Sequence, residues 1–149
     1  MNETNKLTPC CVDASFLVRM LVRQETSDAV EAVWLQWREQ ERRVVAPALL
    51  TFEVTNALYR YVVAGRLGAE KARFALENIL SDFDIEIVTS PRLDALALER
   101  ALEFGLKASY DAHYLAASEL EGAEFWTADA RLVRRVEARL PWVRLVGSG

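Results

Sequence analysis

Little in this chain would staple it together or carry it through a membrane. Its only cysteines, Cys10 and Cys11, are adjacent, so a disulfide between them would close a strained ring and a disulfide framework is excluded. Both read as small strand residues. Histidine occurs once, at His113, which removes any chemistry needing two histidines as acid and base. No apolar run approaches the ~18 residues that span a bilayer, and the opening MNETNKLTP is polar, carries Glu3 and lacks the apolar core of a signal peptide. A cytoplasmic protein with no membrane association is therefore expected. Repeats, low-complexity runs and linker-like stretches are absent too, so a domain boundary has nothing to rest on.

What is present describes one globular unit. The chain has 149 residues, 52% hydrophobic and 27% charged, enough apolar material for a core without staples. The expected organisation is a polar, loosely ordered segment over 1–9, a folded domain over 10–146 and a short tail over 147–149. A net charge of −4 argues at first against a polyanionic partner. Of the 18 basic residues, however, 15 are arginine, the side chain suited to bidentate phosphate contact. A genome rich in arginine codons accounts for that bias equally well.

Hydrophobic spacing predicts α/β order. Cys10 to Val12 reads as a buried strand, followed by helical spacing at Phe16, Leu17, Met20 and Leu21. An amphipathic helix over 28–40 is followed by a strand at Val44 to Ala46. Pro47 suits the first turn of a helix reaching Ala64, and a further helix covers 69–80. Ile85 to Val88 is strand, Ser90-Pro91 opens a helix to Phe104, and Ser109 caps one that runs to Gly122. Glu124 to Trp126 is strand, Ala130 to Leu140 helix and Val143 to Val146 strand. Five strands alternating with helices predict a central, mostly parallel sheet flanked by helices.

Four acids stand near predicted strand ends or in helices: Asp13, Glu53, Asp111 and Asp129. Parallel strands bring their carboxyl ends to one side of a sheet, so Asp13 and Asp129 can share a crevice. All-oxygen donor sets of this kind suit magnesium or manganese, and removing these four charges from the balance would leave the rest of the chain neutral. Each acid also has a plainer reading. Asp111 favours the N-terminal end of a helix dipole, Asp129 can cap the next helix, and Glu53, on a polar line with Asn56 and Arg60, can be a solvated glutamate paired with that arginine. Asp13 is the hardest to dismiss, because it ends an apolar strand at a buried edge.

The segments VDASFLVRML, APALLTFEVTNAL, ASYDAHYLAASE and FWTADARL resemble, in order and spacing, the four acidic motifs of PIN-domain proteins, most closely the VapC-type toxin ribonucleases. The resemblance implies a magnesium- or manganese-dependent endoribonuclease in which Asp13, Glu53, Asp111 and Asp129 are catalytic and hold the metal, leaving a 5′-phosphate and a 3′-hydroxyl. It implies supporting roles for Ser15, Asn56 and Thr127, which could instead cap helices locally. A small cognate antitoxin and a homodimer are the implied partners.

Two surfaces bear on this. Arg131, Arg134, Arg135 and Arg139 could hold RNA phosphates beside the acids, or could line a solvated helix face paired partly with Glu137. Trp34 and Trp37, on one face of their helix, are core if buried and a partner surface if exposed. Other functions compete: a binding or assembly module that keeps the fold without nuclease activity, and an aspartyl-phosphate phosphotransfer domain. The latter would want a second aspartate where Ser15 stands.

Overall fold

In the computed structural model, which describes residues 7–147, short apolar runs form five strands: β1 Cys10–Val12, β2 Val44–Pro47, β3 Ile85–Val88, β4 Glu124–Thr127 and β5 Val143–Leu145. Part of the polar segment expected over 1–9 and the last two residues of the expected tail lie outside the described residues. All four strand pairings are parallel and the order is β3-β2-β1-β4-β5. The fold is therefore α/β with a central five-stranded parallel sheet, as expected. Cys10, Cys11 and Val12 are fully buried, as a strand covered on both faces requires. Burial pushes both thiols up to about 12, so they stay protonated and inert.

The helices are α1 Ala14–Leu21, α2 Ser27–Glu39, α3 Leu49–Val63, α4 Ala69–Asp82, α5 Leu93–Phe104, α6 Tyr110–Glu121 and α7 Ala130–Val136. Strand order reverses between β1 and β4: the chain leaves β1 towards β2 and β3, then crosses back through α5 and α6 to β4 on the other side. Such a switch point opens a crevice beyond the strands' carboxyl ends. Among the described residues no helix is long and apolar enough to cross a membrane.

Several boundaries differ from expectation, three of them near prolines. Pro47 is the last residue of β2 and not the start of a helix; the β1 pairing stops at Val45, so its missing N–H removes no bond to β1. Ser90 accepts a bond from the Arg92 amide (3.2 Å) and so closes the turn before α5, which begins only at Leu93. Helix α7 ends at Val136 and not Leu140, the chain turning over 137–139 before it reaches Pro141.

Trp34 and Trp37 settle on the core side. Trp37 is 1% exposed and Trp34 7%. Trp37 stacks on Phe16 (5.2 Å between centroids) and meets the edge of Trp126, while Trp34 meets Phe83. No partner can use them. Exposed apolar side chains include Phe52, Tyr59, Val63 and Phe74 on α3 and α4, and Leu98 and Leu102 on α5.

Candidate active site

The switch point collects the acids by topology. Asp13 follows β1 directly, and the register Val12↔Trp126 sets it beside Thr127, the last residue of β4. A helix leading into a parallel strand starts at the strands' carboxyl edge. Helix α6 leads into β4, so Asp111 in its first turn lies at that edge; α3 leaves β2 there and carries Glu53 just beyond its first turn.

Asp13 is the N-cap of α1. Its backbone is extended, and Oδ1 accepts from the Phe16 amide at 3.1 Å. The same oxygen accepts from Ser15 Oγ at 2.6 Å, and Oδ2 accepts from Thr127 Oγ1 at 2.5 Å. Ser15 Oγ in turn accepts from the Ala128 amide (3.0 Å), and Thr127 Oγ1 accepts from the Asp129 amide (3.0 Å). Both hydroxyls thus tie the end of β1 to the loop after β4. The carboxylate is 7% exposed, and burial pushes it up to about 6, against the three hydrogen bonds that favour its charged form; the charge of Asp111 raises it further.

Asp129 caps α7, with Oδ1 accepting from the Arg131 amide (3.0 Å) and the Leu132 amide (3.2 Å). The plainer capping reading is therefore correct as far as it goes, and it leaves Oδ2 for other partners. Asp111 is half-buried and its side chain makes no hydrogen bond among the described residues. Burial pushes its carboxyl up, and the charges of Asp129 and Glu53 add to this. Asp111 thus lies within the field of two other acids. Among the described residues no three acidic, histidine or cysteine side chains stand within one coordination sphere.

Glu53 does not pair with Arg60. It accepts from Tyr114 Oη at 2.5 Å, a bond between α3 and α6. Tyr114 is 1% exposed, and its ring stacks on Phe125 of β4 (5.7 Å, 5° between planes). Burial, then the bond and charge of Glu53, push the phenol well above its ordinary range, so it stays a donor. The sequence reading missed this residue. Its signal was the three-residue step from Asp111, which puts both on one face of α6.

The remaining candidates scatter. Asn56 is exposed and makes no hydrogen bond among the described residues. His113 turns away to α5, with Nε2 3.2 Å from Asp94 and Nδ1 2.8 Å from the Ser109 carbonyl. Arg135 donates to the carbonyls of Phe104 (3.3 Å) and Gly105 (3.4 Å) at the end of α5, and Arg139 is held by Glu103 and the Phe104 ring rather than by Glu137. Arg131 and Arg134 are exposed.

Known proteins share this layout. The chain is 28% identical to exonuclease VapC9 of Pyrobaculum aerophilum over 126 residues, 83% of this chain and 90% of that protein. The crystal structure of PAE2754 from the same organism superposes with a TM-score of 0.64 at 26% identity, covering 86% of this chain and 84% of that one. The PIN domain family matches residues 10–138, a span that takes in all four acids and the strands and helices that gather them. The resemblance drawn from the acidic motifs is borne out: this chain belongs to the PIN domain family.

Proposed function

We propose that the protein is a divalent-metal-dependent endoribonuclease, the toxin of a toxin and antitoxin pair. The observation that carries this reading is the convergence of Asp13, Glu53, Asp111 and Asp129 on the β1/β4 switch point, with Asp111 pushed up by burial and by two neighbouring carboxylates. Asp111, buried beside two carboxylates with no donor among the described residues to offset them, calls for a cation, and the all-oxygen donors of the four acids fit a hard ion, Mg2+ or Mn2+. When bound, that ion supplies an activated water and stabilises charge on the phosphoryl oxygens.

The chain's own residues do the positioning. Ser15 and Thr127 hold both oxygens of Asp13 in place, the α7 amides fix one oxygen of Asp129, and Tyr114 pins Glu53 across two helices. Asp111 alone is held by no donor among the described residues, which leaves it to move towards a ligand. Aspartyl-phosphate chemistry is disfavoured, since Ser15, where a second aspartate would be wanted, is spent on orienting Asp13. A small antitoxin, a second copy of the chain and a cytoplasmic setting belong to the same reading.

The VapC9 relative is named an exonuclease, so the mode of attack needs its own test. Purified protein with Mn2+ is expected to cut circular single-stranded RNA as well as linear RNA, leave 5′-phosphate ends, and stop on addition of EDTA. Shortening of linear RNA alone would make it an exonuclease, and efficient nicking of DNA with RNA untouched would overturn the substrate.

Tyr114→Phe isolates the pin. The ring and its stack on Phe125 remain while the donor to Glu53 goes. Loss of such an outer contact is expected to lower kcat roughly 10- to 100-fold with KM little changed. Glu53 is only half-buried and can turn to water, so the stability loss should be about 1 kcal/mol in denaturant titration. An unchanged kcat would show that the bond is structural only.

A further inference from the structure

A cleft of about 450 Å³ opens between α1 and α3, directly beside the acids, with Ser15 in its wall. Three arginines line it, Arg19, Arg60 and Arg66, and no carboxylate does. This is unusual in a chain of net charge −4. Elsewhere Arg23, Arg43, Arg100, Arg139 and Arg144 each meet an acid, whereas none of the three cleft arginines does so among the described residues. Eight of the fifteen arginines meet no acid among the described residues, and three of those eight share this one cleft with Ser15.

Their posture suits a ligand. Arg19 is braced by bonds to Thr26 Oγ1 and the Ser15 carbonyl, both 2.8 Å. Arg60 is exposed and lies seven residues along α3 from Glu53, so about 10 Å further along the helix. Arg66 lies over the Tyr61 ring at 5.1 Å, which holds its guanidinium as a flat platform of the kind on which an unpaired base stacks.

We propose that this cleft binds the nucleotide flanking the scissile phosphate of single-stranded RNA, with Arg19 and Arg60 on backbone phosphate and Arg66 under the base. The inference rests on the nuclease reading and moves the main RNA contacts away from Arg131, Arg134 and Arg135. An acidic peptide would also meet cations here, but continuity with the acidic site through Ser15 favours the RNA chain.

The test is fluorescence anisotropy of a labelled short oligouridylate, in EDTA to prevent cleavage, across a salt series. Arg60→Gln and Arg66→Gln are each expected to weaken binding on the order of three- to tenfold, and Arg60→Gln, which removes a phosphate contact, also to flatten the slope of log K against log salt by about 0.7. Arg43→Gln, which removes a charge just before β2 at the opposite edge of the sheet, should leave that slope unchanged. Unchanged binding in both cleft variants, no binding by the wild type, or equal competition by an oligoglutamate of the same length would each overturn the proposal. Binding that depends on these arginines in a protein that cuts no RNA with Mn2+ would uphold the cleft and refute the nuclease. Cleavage with variant binding unchanged would do the reverse.

Discussion

Asp111→Asn is expected to abolish metal-dependent RNA cleavage, by on the order of 10² to 10³-fold, and at the same time to raise the melting temperature of the metal-free protein. Both effects have one cause. Asp111 sits half-buried with Asp129 and Glu53 as its charged neighbours and no donor among the described residues to offset them. The first turn of α6 favours an anion by about 0.3–1 kcal/mol, yet the carboxyl is still pushed up, so burial and repulsion win. Neutralising the side chain relieves that opposition and removes a proposed metal ligand in the same step, the conflict between stability and function that an active site would show. Melting in EDTA and a cleavage assay with Mn2+ read the two halves. Activity within a few-fold of wild type would remove Asp111 from the site.

The second large effect is a pH dependence. The Asp13 carboxyl has a value of about 6 in the folded chain against 3.8 when exposed, so the folded state binds the extra proton between those values. Stability contributed by the protonated group is complete below about pH 4 and is lost as pH rises through about 6, a change of about 3 kcal/mol. Asp13→Asn escapes that loss. An asparagine can still cap α1 through its oxygen and donate its amide to Thr127 Oγ1, which can rotate to accept. In EDTA the variant is expected to melt higher than the wild type at pH 7.5, by roughly 6–12 °C, with the gap closing towards pH 4. A variant that melts lower at pH 7.5 would show that the hydrogen bonds to the carboxylate outweigh its burial.

Local signals carried most of the fold. Each strand is a short run whose two faces are both covered, and the helix ends at Gly105 and Gly122 fall where the chain needs positive φ, at 61° in both. Three of the boundaries that moved lie near proline, at Pro47, Pro91 and Pro141, whose fixed φ fits a strand end or a turn as readily as a helix start. The acids were legible as a set through the residues around them. Their individual surroundings were legible only in part: the caps made by Asp13 and Asp129 are local, but the other bonds join segments far apart in sequence, with Thr127 to Asp13 spanning 114 residues, Ala128 to Ser15 113 and Tyr114 to Glu53 61. Two members of the arginine series after Asp129 have partners that spacing could not foretell. Regular spacing on α7 says nothing of the carbonyls of Phe104 and Gly105 or the carboxylate of Glu103, which claim Arg135 and Arg139 from another helix. Arg19 and Arg66 lacked any spacing cue and became a pair only when α1 packed on α3.

The account stands on the four acids acting as one cation site, and a thermal unfolding comparison addresses that without relying on catalysis. A ligand that binds only the folded state raises the melting temperature by an amount that grows with the logarithm of its concentration over its Kd. Wild-type protein at neutral pH is expected to gain several degrees in millimolar Mn2+ over EDTA, whereas Asp111→Asn, already more stable without metal, should gain almost nothing. A wild-type protein indifferent to Mn2+, or a variant that gains as much as the wild type, would contradict the assignment.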